Sequence, residues 1–207
     1  MIYLYSGTPG SGKSLHQAEQ IYYRLRAGKP VLANFDVDLK FIKGNKHNIG
    51  EFYYIDNAIL RPELLIKYSQ IYFKKHKFKE GAIQLYIDEC QLLFNAREWQ
   101  SKGRKEWLMF FTQHRKFGYD IFLIAQFDKM IDRQVRSLIE YETIHRKVKN
   151  FGTFGFIFNL VAGGNLFAAI TVWYPLKERL NCRFYKGTKR LFAVYNTYNT
   201  FGSEGSM

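Results

Sequence analysis

Gly7-Thr8-Pro9-Gly10-Ser11-Gly12-Lys13-Ser14 matches G-x-x-x-x-G-K-[ST] at every defined position, and that stretch limits the fold more than anything else in the chain. Glycines at these places let backbone N–H groups turn inward around a polyphosphate with no Cβ in the way. The flanks have the required order. Ile2-Tyr3-Leu4-Tyr5 reads as a buried strand, and Leu15 to Arg26 reads as a helix whose N-terminal dipole end completes the cradle. Gly7 through Leu15 are therefore the residues expected to hold ATP: Lys13 reaches toward the β/γ-phosphates, and Ser14 offers its hydroxyl to Mg²⁺.

A second half of the site is expected at Ile83-Gln84-Leu85-Tyr86-Ile87-Asp88-Glu89, an apolar strand that ends in two acids. In a parallel sheet the strand ends gather along one edge, so Asp88 can stand near Ser14 despite the distance in sequence. Asp88 is the candidate Mg²⁺ ligand, and Glu89 the candidate base that aligns and deprotonates the attacking water. Another buried strand, Ile121 to Ala125, closes on Gln126, whose polar side chain at a strand tip makes it a candidate sensor of the γ-phosphate.

The remaining segments fit an α/β chain. Gly28 and Pro30 stop the first helix, Val31 to Phe35 and Phe52 to Ile55 read as strands, and Arg61-Pro62-Glu63 opens a helix with apolar residues at helical spacing. A helix is expected from Arg104 to Lys116, ended by Gly118, and a short one from Asp128 to Ser137 that bears Arg133 and Arg136. The fold expected is a P-loop NTPase, a three-layer αβα sandwich on a mainly parallel sheet, with the ATPase core at 1–149 and a β-hairpin and C-terminal extension at 150–207 packed on the same domain. The adjacent acids point to the ATPase branch that carries an additional strand in its sheet.

Asn150 to Leu176 contains no charged residue, while Lys147, Lys149, Lys177 and Arg179 flank it. Its length would span a bilayer, but Gly163-Gly164-Asn165 interrupts it as a turn. Two strands, Phe156 to Val161 and Leu166 to Tyr174, are the preferred reading; a re-entrant or membrane-lying loop is the other. The tail from Gly202 to Met207 is small and polar.

A chain of 207 residues, 47% hydrophobic, can bury one full core, so one domain is expected. Its net charge of +13 favours nucleic acid or an anionic membrane surface as partner. Cys90 and Cys182 form neither a C-x-x-C pair nor a disulfide framework, and the five histidines have no ligand spacing, so a reducing compartment and no zinc site are expected. No signal peptide precedes the first strand.

The order of motifs adds a resemblance. Ile87-Asp88-Glu89-Cys90-Gln91 with Phe94 and Arg97, then His114-Arg115-Lys116-Phe117-Gly118-Tyr119-Asp120 leading to Ala125-Gln126, then Ile131-Asp132 and Val135-Arg136, resembles the zonula occludens toxin-like (Zot) family from Met1 to Arg136. The resemblance implies a Mg²⁺-dependent motor ATPase related to FtsK/HerA-type DNA pumps, on the cytoplasmic face of the host inner membrane. Such a motor drives single-stranded phage DNA, or its nucleoprotein, through the envelope together with inner-membrane assembly proteins. It further implies a homo-oligomeric ring in which a neighbour lends an arginine, with Arg97, Arg115, Arg133 and Arg136 as candidates. Lys102, Arg104, Lys105, Arg115 and Lys116 are candidate contacts to DNA phosphates. Family members commonly continue into a transmembrane helix and a periplasmic part; here the sequence ends at Met207, so anchoring belongs either to a portion beyond it or to another protein. Rival readings are a genome-packaging ATPase of a membrane-containing virus, a small nucleotide kinase, for which no arginine-rich lid is evident, and a nucleotide site that serves as a structural switch.

Overall fold

A computed structural model describes residues 1–42, 49–96, 103–161, 163–188, 191 and 194. The chain runs β1 (Ile2–Ser6), α1 (Lys13–Arg26), β2 (Val31–Ala33), β3 (Phe52–Tyr54), α2 (Pro62–Lys75), β4 (Ile83–Ile87), α3 (Arg104–Gln113), β5 (Tyr119–Ile124), α4 (Arg133–Arg136), β6 (Tyr141–Lys147), α5 (Gly152–Val161), β7 (Leu166–Trp173) and β8 (Glu178–Lys186). All eight strands join one sheet in the order β3-β2-β4-β5-β1-β6-β7-β8, parallel from β3 to β6 and antiparallel from β6 to β8. β5 stands between β1 and β4, which is the additional strand that the paired acids announced.

Alternation along the central strands divides the core between two layers of helices. Leu4, Leu85, Ile87, Ile121 and Leu123 face one side with Leu65 of α2 and Trp107, Phe110 and Phe111 of α3. Tyr5, Tyr86, Phe122 and Ile124 face the other, against Ala18, Ile21, Tyr22 and Leu25 of α1. On that second face the rings of Tyr86 and Phe122 stack at 4.4 Å and those of Phe122 and Tyr3 at 4.8 Å, an aromatic ladder across β4, β5 and β1. Val194, fully buried in the same layer, accepts the Asp38 N–H on its carbonyl and so adds to the packing on α1's face of the sheet.

Three expectations need correction. Phe156 to Val161 is not a strand but the body of α5. The Asn159 carbonyl accepts the Gly164 N–H, its side-chain oxygen accepts the Leu166 N–H at 3.1 Å, and Gly163 and Gly164 both adopt positive φ to end the helix. A short apolar run rich in phenylalanine satisfies either periodicity, and these terminators decide it. The hairpin is instead made by β7 and β8, turning at Lys177 with φ 55°, and it continues the main sheet. The helix expected over 128–137 is broken: Ile131 forms a bridge to Asn95, and Asp132 then caps α4 by accepting the Gln134 and Val135 N–H groups. The tail at 202–207 lies outside the described residues.

Candidate active site

The phosphate-binding turn follows β1 directly and hands over to α1 at Gly12. Gly7, Gly10 and Gly12 have φ values of 142°, 72° and 98°, a region that side chains with a Cβ rarely adopt. Close packing adds to this at two of them. A Cβ on Gly7 would stand 2.5 Å from the His145 carbonyl oxygen, and one on Gly12 would stand 2.6 Å from Phe167 Cδ1 and 2.7 Å from the Tyr185 hydroxyl; Gly10 faces open space. The turn is pinned by its own bonds as well: Gly7 N–H donates to the Gln126 carbonyl, Ser11 N–H to the Thr8 carbonyl and His16 N–H to the Gly12 carbonyl.

Lys13 Nζ donates to the Gly7 carbonyl at 2.6 Å and the Thr8 carbonyl at 3.3 Å. Partial burial lowers its pKa, and the negative charges of Asp88 and Glu89 act against that shift. These acids, reached through β4 two strands away, therefore stand close enough to Lys13 for their charges to act on it. Asp88 is held by its backbone: Asn34, just past β2, accepts the Asp88 N–H on Oδ1 at 2.7 Å and donates Nδ2 to the Asp88 carbonyl at 2.9 Å and to Asn57 Oδ1 at 2.9 Å. Glu89 leaves the strand with φ 46°, its N–H donating to Asp88 Oδ1 and its carboxylate accepting from Gln91 Nε2.

Beneath the turn, α1 and β6 are joined by a buried imidazole pair. His16 Nδ1 lies 2.8 Å from His145 Nε2, His145 Nδ1 lies 3.1 Å from the Ser6 carbonyl, and Gln20 Nε2 lies 3.3 Å from His16 Nε2. One neutral arrangement satisfies the whole chain: Gln20 donates to His16, His16 to His145, and His145 to Ser6. Burial pushes His16 down to about 3 and His145 to about 4, and the Lys13 ammonium adds to the second shift. The Tyr5 ring stacks on His16 at 5.0 Å. Beside this pair the C-terminal hairpin forms a wall: Phe167 of β7 and Tyr185 of β8 pack with Leu15, and the Tyr185 hydroxyl donates to the Gly12 carbonyl at 2.9 Å.

Gly7 to Leu15, Lys13, Asp88 and Glu89 are thus gathered at one edge of the sheet, with Gln126 joined to them through its backbone carbonyl. Among the described residues, no arginine candidate is paired with a residue of this site. Arg115 pairs with Glu140 where β5 and β6 begin, at the opposite edge, Arg133 and Arg136 lie on α4, and Arg97 lies outside the described residues, as does Lys102. Arg104 is turned onto Asp132 at 2.7 Å and is mostly covered, so it is not part of an open basic face; Lys105, Arg115 and Lys116 are exposed. Sequence reasoning missed Asn34, His145, Phe167 and Tyr185, none of which stands in a motif.

The sequence profile of zonular occludens toxin (Zot) matches residues 1–200. The chain belongs to that family. Among relatives of this Zot-family chain, the Gene 1 protein of Enterobacteria phage fd is 27% identical over 217 residues, which cover 98% of the chain and 60% of the relative. The Gene 1 protein of Salmonella phage IKe is 26% identical over 220 residues, 98% of the chain and 58% of that protein, so the chain spans only about three fifths of the relatives' length. Of solved structures, the N-terminal domain of zonular occludens toxin from Neisseria meningitidis superposes with a TM-score of 0.54 at 18% identity, covering 94% of this chain and 97% of that one. The genome-packaging NTPase B204 of Sulfolobus turreted icosahedral virus 2, in complex with ATP-γS, superposes with a TM-score of 0.54 at 15% identity over 90% of this chain and 97% of its own. The Zot-family chain therefore has a P-loop NTPase fold.

Proposed function

We propose that this chain is a Mg²⁺-dependent ATP hydrolase that powers filamentous phage assembly and the extrusion of single-stranded phage DNA through the host inner membrane. The observation that carries the reading is that the charges of Asp88 and Glu89 both act on Lys13, beside a turn in which Gly7 and Gly12 leave no room for a Cβ. Family membership and the likeness to the Gene 1 proteins support the phage-assembly part.

The residues fit both groups. Lys13 and the amides of Gly7 through Leu15 would hold the triphosphate, and the buried Ser11 hydroxyl, which has no partner among the described residues, is a spare polar group in the same turn. Ser14 and Asp88 would supply oxygen ligands to Mg²⁺, an ion that usually draws its other ligands from phosphates and water. When bound, the ion would neutralise charge on the phosphates. Glu89 would orient the attacking water and accept its proton, and Gln126 would act as sensor. Catalysis rests on positioning and electrostatics, and oligomerisation into a ring would let Arg115, Arg133, Arg136 or Arg97 serve a neighbour's site. The working location is the cytoplasmic face of the inner membrane, alongside the membrane proteins of phage assembly.

The fold shared with B204 favours genome packaging as the second reading. ATP turnover measured with single-stranded and with double-stranded DNA separates the two, since extrusion requires stimulation by the single strand. For the hydrolase itself, Glu89→Gln is expected to keep ATP-γS binding while turnover falls by about a hundredfold or more. Undiminished turnover in that variant would sink the assignment.

A further inference from the structure

We propose that α5 is an interfacial anchor that inserts its phenylalanine-rich faces into an anionic lipid leaflet. The proposal adds a way of sitting on the membrane to the motor described above and does not depend on nucleotide chemistry.

Phe154, Phe156, Ile157, Phe158, Leu160 and Val161 are between 57% and 83% exposed, although the helix carries no charged side chain. Only Gly155 and Asn159 are buried. A Cβ on Gly155 would collide with the Val148 carbonyl, so the helix is seated on the preceding turn along one narrow stripe and stands clear of the body elsewhere. At 3.6 residues per turn, the exposed apolar positions sweep about 200° of the helix circumference. A rigid protein partner covers one face of a helix; a fluid apolar medium covers an arc of that width. An apolar patch this dense is uncommon on a soluble surface unless something covers it.

Charge identifies the medium. Lys147 and Lys149 precede the helix, the Arg146 guanidinium sits 6.0 Å from the centre of the Phe151 ring, and the Lys186 ammonium lies beside Gly163 in the turn that ends the helix. Cations thus stand at both ends of an uncharged apolar element, the pattern that suits acyl chains below and anionic headgroups around. An open, mostly apolar hollow of about 560 Å³, lined by Lys149, Asn150, Gly152, Thr153, Phe156 and Ile157, lies along the start of the helix. Length decides between crossing and lying flat. Ten residues rise roughly 15 Å, half of a bilayer's hydrocarbon core, and no helix among the described residues is long and apolar enough to cross a membrane.

The test is flotation of the full chain, without nucleotide, on phosphatidylcholine vesicles with and without phosphatidylglycerol. Phe154→Gln with Phe158→Gln removes apolar surface and leaves charge unchanged, and because both side chains are exposed, the unfolding midpoint should stay put. The native chain is expected to float with the phosphatidylglycerol vesicles, and the double variant to bind about tenfold or more weakly. A tryptophan placed by Phe158→Trp should be quenched by lipids brominated on their acyl chains. Three results would overturn the proposal: no flotation on either vesicle; equal flotation of native and double variant, which is adsorption by charge alone; or a self-associated species in lipid-free solution that the double variant dissolves, which would make a second copy of the chain the occupant. ATP turnover enters none of these readings, so a failed hydrolase assignment leaves them intact.

Discussion

Substituting alanine for Gly12, and separately for Gly10, divides the strain of the phosphate-binding turn into its two sources. Both glycines have positive φ, 98° and 72°, and a non-glycine residue held there costs about 1–3 kcal/mol. At Gly10 the new Cβ meets nothing within 4 Å, so that cost stands alone. At Gly12 it arrives 2.6 Å from Phe167 Cδ1 and 2.7 Å from the Tyr185 hydroxyl, and pushing a packed ring aside adds about 1–3 kcal/mol. For a chain of this size each kcal/mol lowers Tm by roughly 2–4 °C, so Gly12→Ala should melt several degrees below Gly10→Ala. Thermal unfolding by circular dichroism reads this directly. A cycle with Phe167→Leu provides the control: relieving the contact should make the double variant better than additive by about 1 kcal/mol. ATP-γS affinity should follow the same order, because the displaced residue is the one on which Lys13 and Ser14 depend for position. Equal melting of the two alanine variants, or strict additivity with Phe167→Leu, would refute the claim that the C-terminal hairpin shapes the turn.

Other outcomes follow from the same geometry. Asn34→Ala removes the amide that holds the Asp88 backbone from both sides, and should lower ATP turnover by about 10–100-fold with little change in ATP-γS affinity; an unchanged turnover would deny Asn34 a positioning role. The His16–His145 pair is neutral in the fold, whereas a free imidazole titrates near 6.5, so the unfolded chain binds protons first as pH falls. The pair's contribution is complete above about pH 7 and is lost progressively toward the folded values, so the urea midpoint should drop more steeply between pH 7.5 and 5 (roughly the imidazole range) in the native chain than in His16→Gln/His145→Gln. Parallel pH profiles would dismiss the pair as the cause. Lys177→Ala strips one partner from the buried Glu142, which among the described residues then keeps the Ser6 hydroxyl at 2.6 Å, and should cost about 1–3 kcal/mol in urea unfolding; Glu142→Gln in the same chain should recover part of the loss.

Local chemistry was readable in the sequence, and long-range satisfaction was not. The glycine turn, the acids after β4 and the strand between them announce themselves because each needs only its immediate neighbours. β6 went unread: Glu142 and His145 make it look like a polar connection, yet both point inward, one met by Ser6 and Lys177 and the other by His16. β8 hid for the opposite reason, since an edge strand with Glu178, Arg179, Arg183 and Lys186 reads as a solvated loop. In α5 the residue types favoured a strand, and only a glycine pair and one asparagine, acting through backbone bonds, make it a helix. Asn34 passed as an ordinary strand residue because its value lies in a main chain that arrives much later in the sequence.

The rings that press on Gly12 belong to strands that leave the ribosome long after the glycine turn they support. During synthesis the first strand and its turn must wait, without their wall and without the imidazole that β6 supplies, until Tyr185 has emerged. Nucleotide affinity is then a late property of the growing protein. A chain halted before Leu166 is expected to retain no ATP-γS on a filter, and a nascent chain would be unable to spend the cell's ATP before its hairpin has joined the sheet.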